Sequence, residues 1–262
     1  VLSLTRCPAA EPRLQAPGGG AYFSPALEVV GEPGSILEDL AGRLLGRARA
    51  DWDVAEVDRI RRERHAALEV PVPGLAPHRV VQMTRELTAG GSIATVDAGA
   101  HMFPATAYWH ALEPGELLIS NGLATMGFAL PAAIAAQLVH PHRRVICFTG
   151  DGGLMMVAAE LETVARLGLP IVIVVFNDEA LSLIAIKQEQ KGLEGVSMRY
   201  AGPDLRALAR AFGLRAFTAT DEATLHQALI GAQTAPGPAL IDARIDASGY
   251  RRMLEIVRGA PK

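Results

Sequence analysis

Two apolar runs frame the segment that most constrains this chain. The first, Val145-Ile146-Cys147-Phe148-Thr149, leads straight into Gly150-Asp151-Gly152. The second, over 171–176, delivers Asn177 and Asp178. The stretch from 153 to 167 reads as one helix between them. An apolar run, a glycine turn, a crossover helix and a second apolar run make a strand–helix–strand unit with parallel strands. Such a unit carries Asp151 and Asp178 to the carboxyl ends of neighbouring strands, where open α/β sheets bind ligands. Gly-Asp-Gly alone is a common turn. Linked to a second carboxylate across a crossover, it offers hard oxygen ligands beside a glycine turn and a helix N-terminus. That set suits Mg²⁺ shared with a phosphate.

The pattern around this unit is regular. A helix over 79–87 precedes a strand over 93–96. After the carboxylates come a helix (204–212), a strand (214–217), a helix (222–233) and a strand (239–243). Gly168 with Pro170 stops the crossover helix, and Gly213 stops the next. Helices alternating with fully apolar strands predict an α/β fold, a doubly wound parallel sheet with helices on both faces. The N-terminal part is less regular. Residues 1–4 and 27–30 read as strands, Gly18-Gly19-Gly20 as a loop, and 34–47 as a helix with Ile36, Leu37, Leu40, Leu44 and Leu45 on one face. A charged, exposed helix is expected over 51–69, broken by Val70-Pro71-Val72-Pro73-Gly74. The chain therefore divides into a short α/β piece (1–50), a linker (51–74) and a principal domain (75–262).

Composition narrows the function classes. The 262 residues are 50% hydrophobic and 20% charged, with net charge −3, an ordinary globular balance. The charge gives no support to nucleic-acid binding. The one basic run, Arg59-Ile60-Arg61-Arg62-Glu63-Arg64, mixes signs and reads as a solvated helix face. The longest apolar stretch, 122–139, contains Gly127 and Pro131 and reads as a buried helix, not a membrane span. Cys7 and Cys147 fit a reducing, cytoplasmic setting, with Cys147 in a core strand. No secretory signal opens the chain, and Val1 begins inside a strand-like run, as in a piece of a longer protein.

Three further segments complete a resemblance. They are Asp97-Ala98-Gly99-Ala100-His101 after a strand, Ser120-Asn121-Gly122-Leu123-Ala124-Thr125-Met126-Gly127, and Asp178-Glu179-Ala180-Leu181-Ser182-Leu183-Ile184. Together with Gly150-Asp151-Gly152 and Asn177-Asp178, they resemble thiamine-diphosphate enzymes of the acetolactate synthase-like group. In the family pattern a second Asn stands where this chain has Asp178, which still supplies an oxygen. The resemblance covers roughly 24–245. It marks 75–262 as the diphosphate-binding domain and 1–50 as the tail of a central α/β domain, whose last strand Ser24-Pro25-Ala26-Leu27-Glu28-Val29-Val30-Gly31 resembles.

The resemblance implies roles residue by residue. Asp151, Asp178 and the carbonyl of Ala180 would hold Mg²⁺. Ala98, Gly99, Ala100, His101, Gly150, Gly152 and Gly153 would surround the diphosphate. Met126 would wedge between the two rings of the cofactor and keep it bent, and the Ala124 carbonyl would accept from its aminopyrimidine. Leu183 and Ile184 would line the cofactor and substrate cavity. Alone, Met126, Leu183 and Ile184 read as core packing, and His101 as a loop histidine. The activity implied is thiamine-diphosphate- and Mg²⁺-dependent decarboxylation and carboligation of 2-keto acids. This chain would supply the diphosphate half of the site.

In the family a pyrimidine-binding domain, from the same or another chain, carries the activating glutamate. No catalytic acid or base is assigned here, and a homo-oligomer is implied. An apolar face exposed around 126–136 is expected where that partner domain would sit. FAD stays open, because relatives that bind it use the central domain. Alternatives are a simple 2-keto-acid decarboxylase, another carboligase, or a cofactor-binding subunit inactive alone. A nucleotide-binding module using Asp151 for Mg²⁺ is disfavoured by the lack of a Walker lysine or Gly-x-Gly-x-x-Gly.

Overall fold

The computed structural model describes residues 2–5, 27–47, 52–234 and 236–258. Cys7, the triple glycine at 18–20 and Ser24 to Ala26 lie outside them. The chain forms two compact units, 1–59 and 60–262. In the first, β1 (Leu2–Thr5) pairs in parallel with β2 (Leu27–Val30), and α1 (Pro33–Leu44) follows. This is α/β in type. α2 (Val54–Leu68) runs across the boundary, with the Asp53 carboxylate accepting from the Glu56 amide at its start (3.1 Å).

The second unit is a six-stranded parallel sheet in the order β4-β3-β5-β6-β8-β7. Its strands are β3 (Ile93–Val96), β4 (Leu117–Ile119), β5 (Val145–Gly150), β6 (Val172–Asn177), β7 (Arg215–Ala219) and β8 (Ala239–Arg244). The central strands are buried on both faces, which is why they read as unbroken apolar runs. Along β5, Ile146 and Phe148 face one core while Val145 and Cys147 face the other; along β6, Val174 and Phe176 oppose Ile173 and Val175. Residues of α3 (Pro77–Glu86), α4 (Met102–Tyr108), α10 (Glu222–Thr234) and α11 (Tyr250–Arg258) share the first core. Those of α5 (Ala129–Val139), α7 (Glu160–Arg166) and α9 (Leu205–Ala211) share the second. The fold is thus doubly wound. Among the described residues no helix is long and apolar enough to cross a membrane.

Local chemistry sets the element ends. Pro77 opens α3, where a missing amide costs nothing. The Asp204 carboxylate caps α9 through the Ala207 amide (3.0 Å). α7 stops at Gly168 (φ 60°), after which Leu169 donates back to Val164 (3.0 Å).

Three expectations need correction. The stretch 153–167 is two short helices, α6 (Asp151–Met156) and α7, because Val157 leaves helical backbone (φ −130°, ψ 23°) and packs beneath Gly127. The stretch 126–136 is exposed on one side only: Ala129, Leu130, Ala133, Ile134 and Ala136 are buried, since β3 and β5 need cover there, while Pro131 and Ala135 stay exposed, continuing into Leu138 and Val139. Residues 70–74, read as linker, lie against the end of β8. There the Gly74 amide donates to Asp246 (3.2 Å), and Leu75 bridges Ile245.

The aromatic packing under the sheet gives a direct test of this core. Phe148 is fully buried, edge-on to both Trp109 (5.6 Å) and Phe176 (6.0 Å). Phe148→Ala is expected to cost about 3–5 kcal/mol in urea unfolding. A loss below about 1 kcal/mol would contradict this packing.

Candidate functional site

The site lies where the sheet's winding reverses. From β3 the chain crosses outward to β4; from β5 it crosses the other way to β6. Between the carboxyl ends of β3 and β5 this leaves a crevice, the usual ligand position in such sheets. The register pairs Val96 with Phe148 and Gly150 with Phe176. Asp97, Asp151 and Asn177 therefore leave their strands side by side. A cavity of about 260 Å³ opens there. Ala98, Gly99, Ala100 and His101 line it from β3; Gly150, Asp151, Gly152 and Gly153 from β5; Asp178, Ala180, Leu183 and Ile184 from β6; and Ala124 and Met126 from the segment before α5. Every residue to which the resemblance assigns a role lines this one cavity.

A buried carboxylate holds these pieces together. Asp97 has no solvent exposure. Its Oδ2 accepts from the Gly127 amide (3.0 Å) and the Thr149 hydroxyl (3.0 Å), and its Oδ1 from the Phe128 amide (2.9 Å). One side chain from β3 thereby fixes the backbone just after Met126 and the threonine just before Gly150. Charge-assisted bonds of this kind offset the cost of burying the carboxylate. Gly153 has to be glycine, because a Cβ there would overlap Asp97 Oδ2. Ala124, two residues before Met126, adopts a left-handed backbone (φ 49°), a strained state for a residue with a Cβ.

His101 lies under the glycine turn. A Cβ on Gly99 would lie 2.6 Å from its ring, and one on Gly150 3.3 Å. The ring stacks on Phe176 (5.3 Å between centroids). Burial pushes its pKa down to about 4, against the opposing pull of Asp97. The imidazole is neutral near pH 7, and its buried Nε2 has no hydrogen-bond partner. In the Nε2–H tautomer it can donate to an anion in the cavity.

Asp151 and Asp178 face each other across the same opening. The Gly152 amide donates to Asp151 Oδ1 (2.8 Å), while Asp151 Oδ2 is buried and unpartnered. Burial raises the Asp151 carboxyl above its ordinary range. Burial first, then the Asp151 charge, pushes Asp178 up to about 6, although the Ser182 hydroxyl donates to its Oδ2. Two carboxylates held this way gain from a shared cation. Among the described residues no three His, Cys, Asp or Glu side chains cluster as a metal site. A third protein ligand has to come from the backbone. The bridge of Ala180 to Arg199 uses the carbonyls of Glu179 and Met198 and leaves that of Ala180 aside. Asn177 turns away from the cavity: its Nδ2 donates to Asp242 Oδ1 (2.8 Å), and Arg244 pairs with Asp242 Oδ2 (2.8 Å). Asn177 is a strut between β6 and β8.

Other residues here escaped the sequence reading. Tyr250 and Arg258 of α11 line the cavity, with Lys187 of α8 (Ser182–Gln190). α11 carries a detectable signal, apolar Tyr250, Met253, Leu254 and Val257 at helical spacing. Asp97 carries a weaker one, a carboxylate directly after a buried strand. Tyr200, whose hydroxyl reaches the Asp151–Gly152 turn, carries none. Leu183 packs on the core as its spacing suggests, while Ile184 is 40% exposed.

Comparison with known proteins decides the family. The family described as "Thiamine pyrophosphate enzyme, C-terminal TPP binding domain" matches residues 97–243, more than half of the chain. The chain belongs to the thiamine pyrophosphate enzymes. It is 34% identical over 231 residues to the acetolactate synthase isozyme 1 large subunit of Escherichia coli (strain K12), covering 87% of this chain and 41% of that protein. It is 30% identical over 230 residues to acetolactate synthase of Bacillus subtilis (strain 168), covering 86% and 40%. It is 32% identical over 230 residues to the catabolic acetolactate synthase of Raoultella terrigena, covering 86% and 41%. The chain spans about two-fifths of the length of these relatives.

The residues present fit the cofactor of a thiamine pyrophosphate enzyme. Asp151 Oδ2 and His101 Nε2 are buried polar atoms without partners, and they suit a cation and an anionic oxygen respectively. Gly150, Gly152 and Gly153 keep the adjacent backbone bare.

If Asp97 holds the site together, its loss is structural. Asp97→Ala should destabilise by about 3 kcal/mol or more, leaving two amides and a hydroxyl buried without an acceptor. Gly153→Ala should be similarly harmful through overlap with the same carboxylate. Chemical denaturation checks both, and a cost below about 1 kcal/mol for Asp97→Ala would remove the clamp from the account.

Proposed function

We propose that this chain supplies the diphosphate-and-metal half of an active site for thiamine-diphosphate chemistry on 2-keto acids, with acetolactate formation as the overall reaction. The observation that carries the reading is the convergence of a neutral, unpartnered His101 Nε2 and an unpartnered Asp151 Oδ2 on one cavity at the β3/β5 crevice. The names of the relatives support the choice of reaction.

When bound, thiamine diphosphate supplies a nucleophilic carbon and an electron sink for cleaving the bond next to the keto group. The protein's part is position and charge. Asp151, Asp178 and the Ala180 carbonyl would hold Mg²⁺, which neutralises the diphosphate. His101 would donate to a diphosphate oxygen, with Ala98, Gly99 and Ala100 letting the backbone come close. Met126 would keep the cofactor bent, a proximity effect that brings its reacting groups together. The Ala124 carbonyl would orient the aminopyrimidine, and Leu183 and Ile184 would exclude water. The partner is a pyrimidine-binding domain, from the same or a second chain, which supplies the activating glutamate. Where that domain comes from a second copy of the chain, a homo-oligomer follows.

Asp151→Ala in the complete enzyme should abolish Mg²⁺-dependent binding of thiamine diphosphate. Asp178→Asn should be milder, since an amide oxygen still coordinates. Calorimetry reads both, and unchanged affinity in Asp151→Ala would sink the metal assignment.

Met126→Ala should separate binding from turnover. Metal and diphosphate contacts survive, so affinity changes little, while turnover falls by about tenfold or more. A turnover loss below about threefold, under roughly 1 kcal/mol in the barrier, would remove the wedge role.

A further inference from the structure

Tyr200 belongs to no recognised motif, yet the fold delivers its hydroxyl to the carboxylate corner of the site. The delivery is through the backbone. The segment after α8 returns past residues 179–181. The Leu181 amide donates to the Met198 carbonyl (2.8 Å), the Tyr200 amide donates to the Glu179 carbonyl (3.0 Å), and Ala180 bridges Arg199 between them. Ser197, in a left-handed conformation (φ 63°), lies just before this stretch. The phenol then reaches the glycine turn: a Cβ built on Gly152 would lie 2.9 Å from the hydroxyl oxygen and 3.6 Å from Met126 Cε. The buried hydroxyl lies beside the Asp151 carboxylate and interacts with it, although neither the hydroxyl nor Asp151 Oδ2 makes a hydrogen bond of full geometry. A buried donor without an acceptor is costly, and a phenylalanine would fill the same space without that cost.

The acceptors already present have other uses. Asp151 Oδ1 takes the Gly152 amide, and Asp178 Oδ2 takes the Ser182 hydroxyl. Asp151 Oδ2 is the oxygen best placed for a cation. Once a cation claims that oxygen from the phenol, an anion entering beside the cation brings a new acceptor. We propose that Tyr200 is a further binding residue, donating a hydrogen bond to a diphosphate oxygen once a divalent cation occupies Asp151 and Asp178. The inference rests on the thiamine-diphosphate reading given above.

The test compares the complete enzyme with its Tyr200→Phe variant. The probes are Mg²⁺ alone, magnesium pyrophosphate, and magnesium thiamine diphosphate, each titrated by calorimetry. Tyr200→Phe should weaken both phosphate-bearing ligands by about tenfold, as loss of one bond to a charged acceptor does. Binding of Mg²⁺ alone and the melting temperature should be unchanged. Equal affinities for the phosphate ligands in both proteins would overturn the proposal. So would an equal loss for Mg²⁺ alone, which would assign the hydroxyl to the carboxylates. If the complete native enzyme binds neither phosphate ligand, the cofactor reading falls and this inference with it. If native binds and the variant binds equally well, only the role of Tyr200 falls. Fluorotyrosine placed at position 200 repeats the test with the hydroxyl retained. Its fluorine resonance should shift with magnesium pyrophosphate and not with Mg²⁺ alone, and an unmoved resonance would overturn the proposal.

Discussion

The carboxylate of Asp97 is the contact on which the site depends. It leaves β3 fully buried and gathers two amides and one hydroxyl from segments 30 to 52 residues away. An acceptor-only group in an apolar sheet end is stable only when its lone pairs are met. Meeting them draws the 120–128 segment and the Gly150 turn against β3. The positions of Met126, Asp151 and His101 follow from that. The absence of a side chain at Gly153 belongs to the same constraint, because the turn has to pass directly against the carboxylate.

Around this anchor the protein keeps several groups in states that favour a ligand over stability. His101 is desolvated and neutral, with one ring nitrogen unmet. Asp151 is buried and Asp178 half-buried near it, each raised in pKa. Glu179 and Ala124 hold left-handed backbone without being glycine. Unmet buried groups and local strain concentrate at functional sites because the surrounding sheet over-determines them. Here the rigid surroundings are β5, β6 and β8, with the Asn177–Asp242–Arg244 chain of polar contacts locking the end of β6. The 191–200 segment returns past this end of the sheet, tied to it by a short bridge at Ala180 and Arg199.

Much of the arrangement was legible in the sequence. Strands buried on both faces leave apolar runs that glycine and proline punctuate, so β3, β5, β6 and β8 stood out. Parallel strands flanked by helices then fixed where Asp151 and Asp178 would emerge. What the sequence hid has physical reasons. β4 is three residues, half-buried on an edge, and too short to show a pattern. α4 contains Pro104 and little polarity, so it lacks an amphipathic face. The kink at Val157 arises from packing beneath Gly127, a contact thirty residues away along the chain. The stretch 126–136 reads as available for a partner because its residues are small and apolar; the sheet claims one face of it and leaves Pro131 and Ala135 exposed on the other. Asn177 stands beside Asp178 in the sequence, and strand alternation turns it to the neighbouring strand. Tyr200 depends on a backbone bridge that no local periodicity reports.

The most direct measurement is a crystal structure of the complete enzyme with Mg²⁺ and thiamine diphosphate. The account predicts the cation at about 2.0–2.1 Å from Asp151 Oδ2, with Asp178 and the Ala180 carbonyl completing its protein ligands. It also predicts a diphosphate oxygen within hydrogen-bond reach of His101 Nε2, and Asp97 still holding the amides of Gly127 and Phe128. A cation seated away from Asp151, or a cofactor bound outside the β3/β5 crevice, would contradict it.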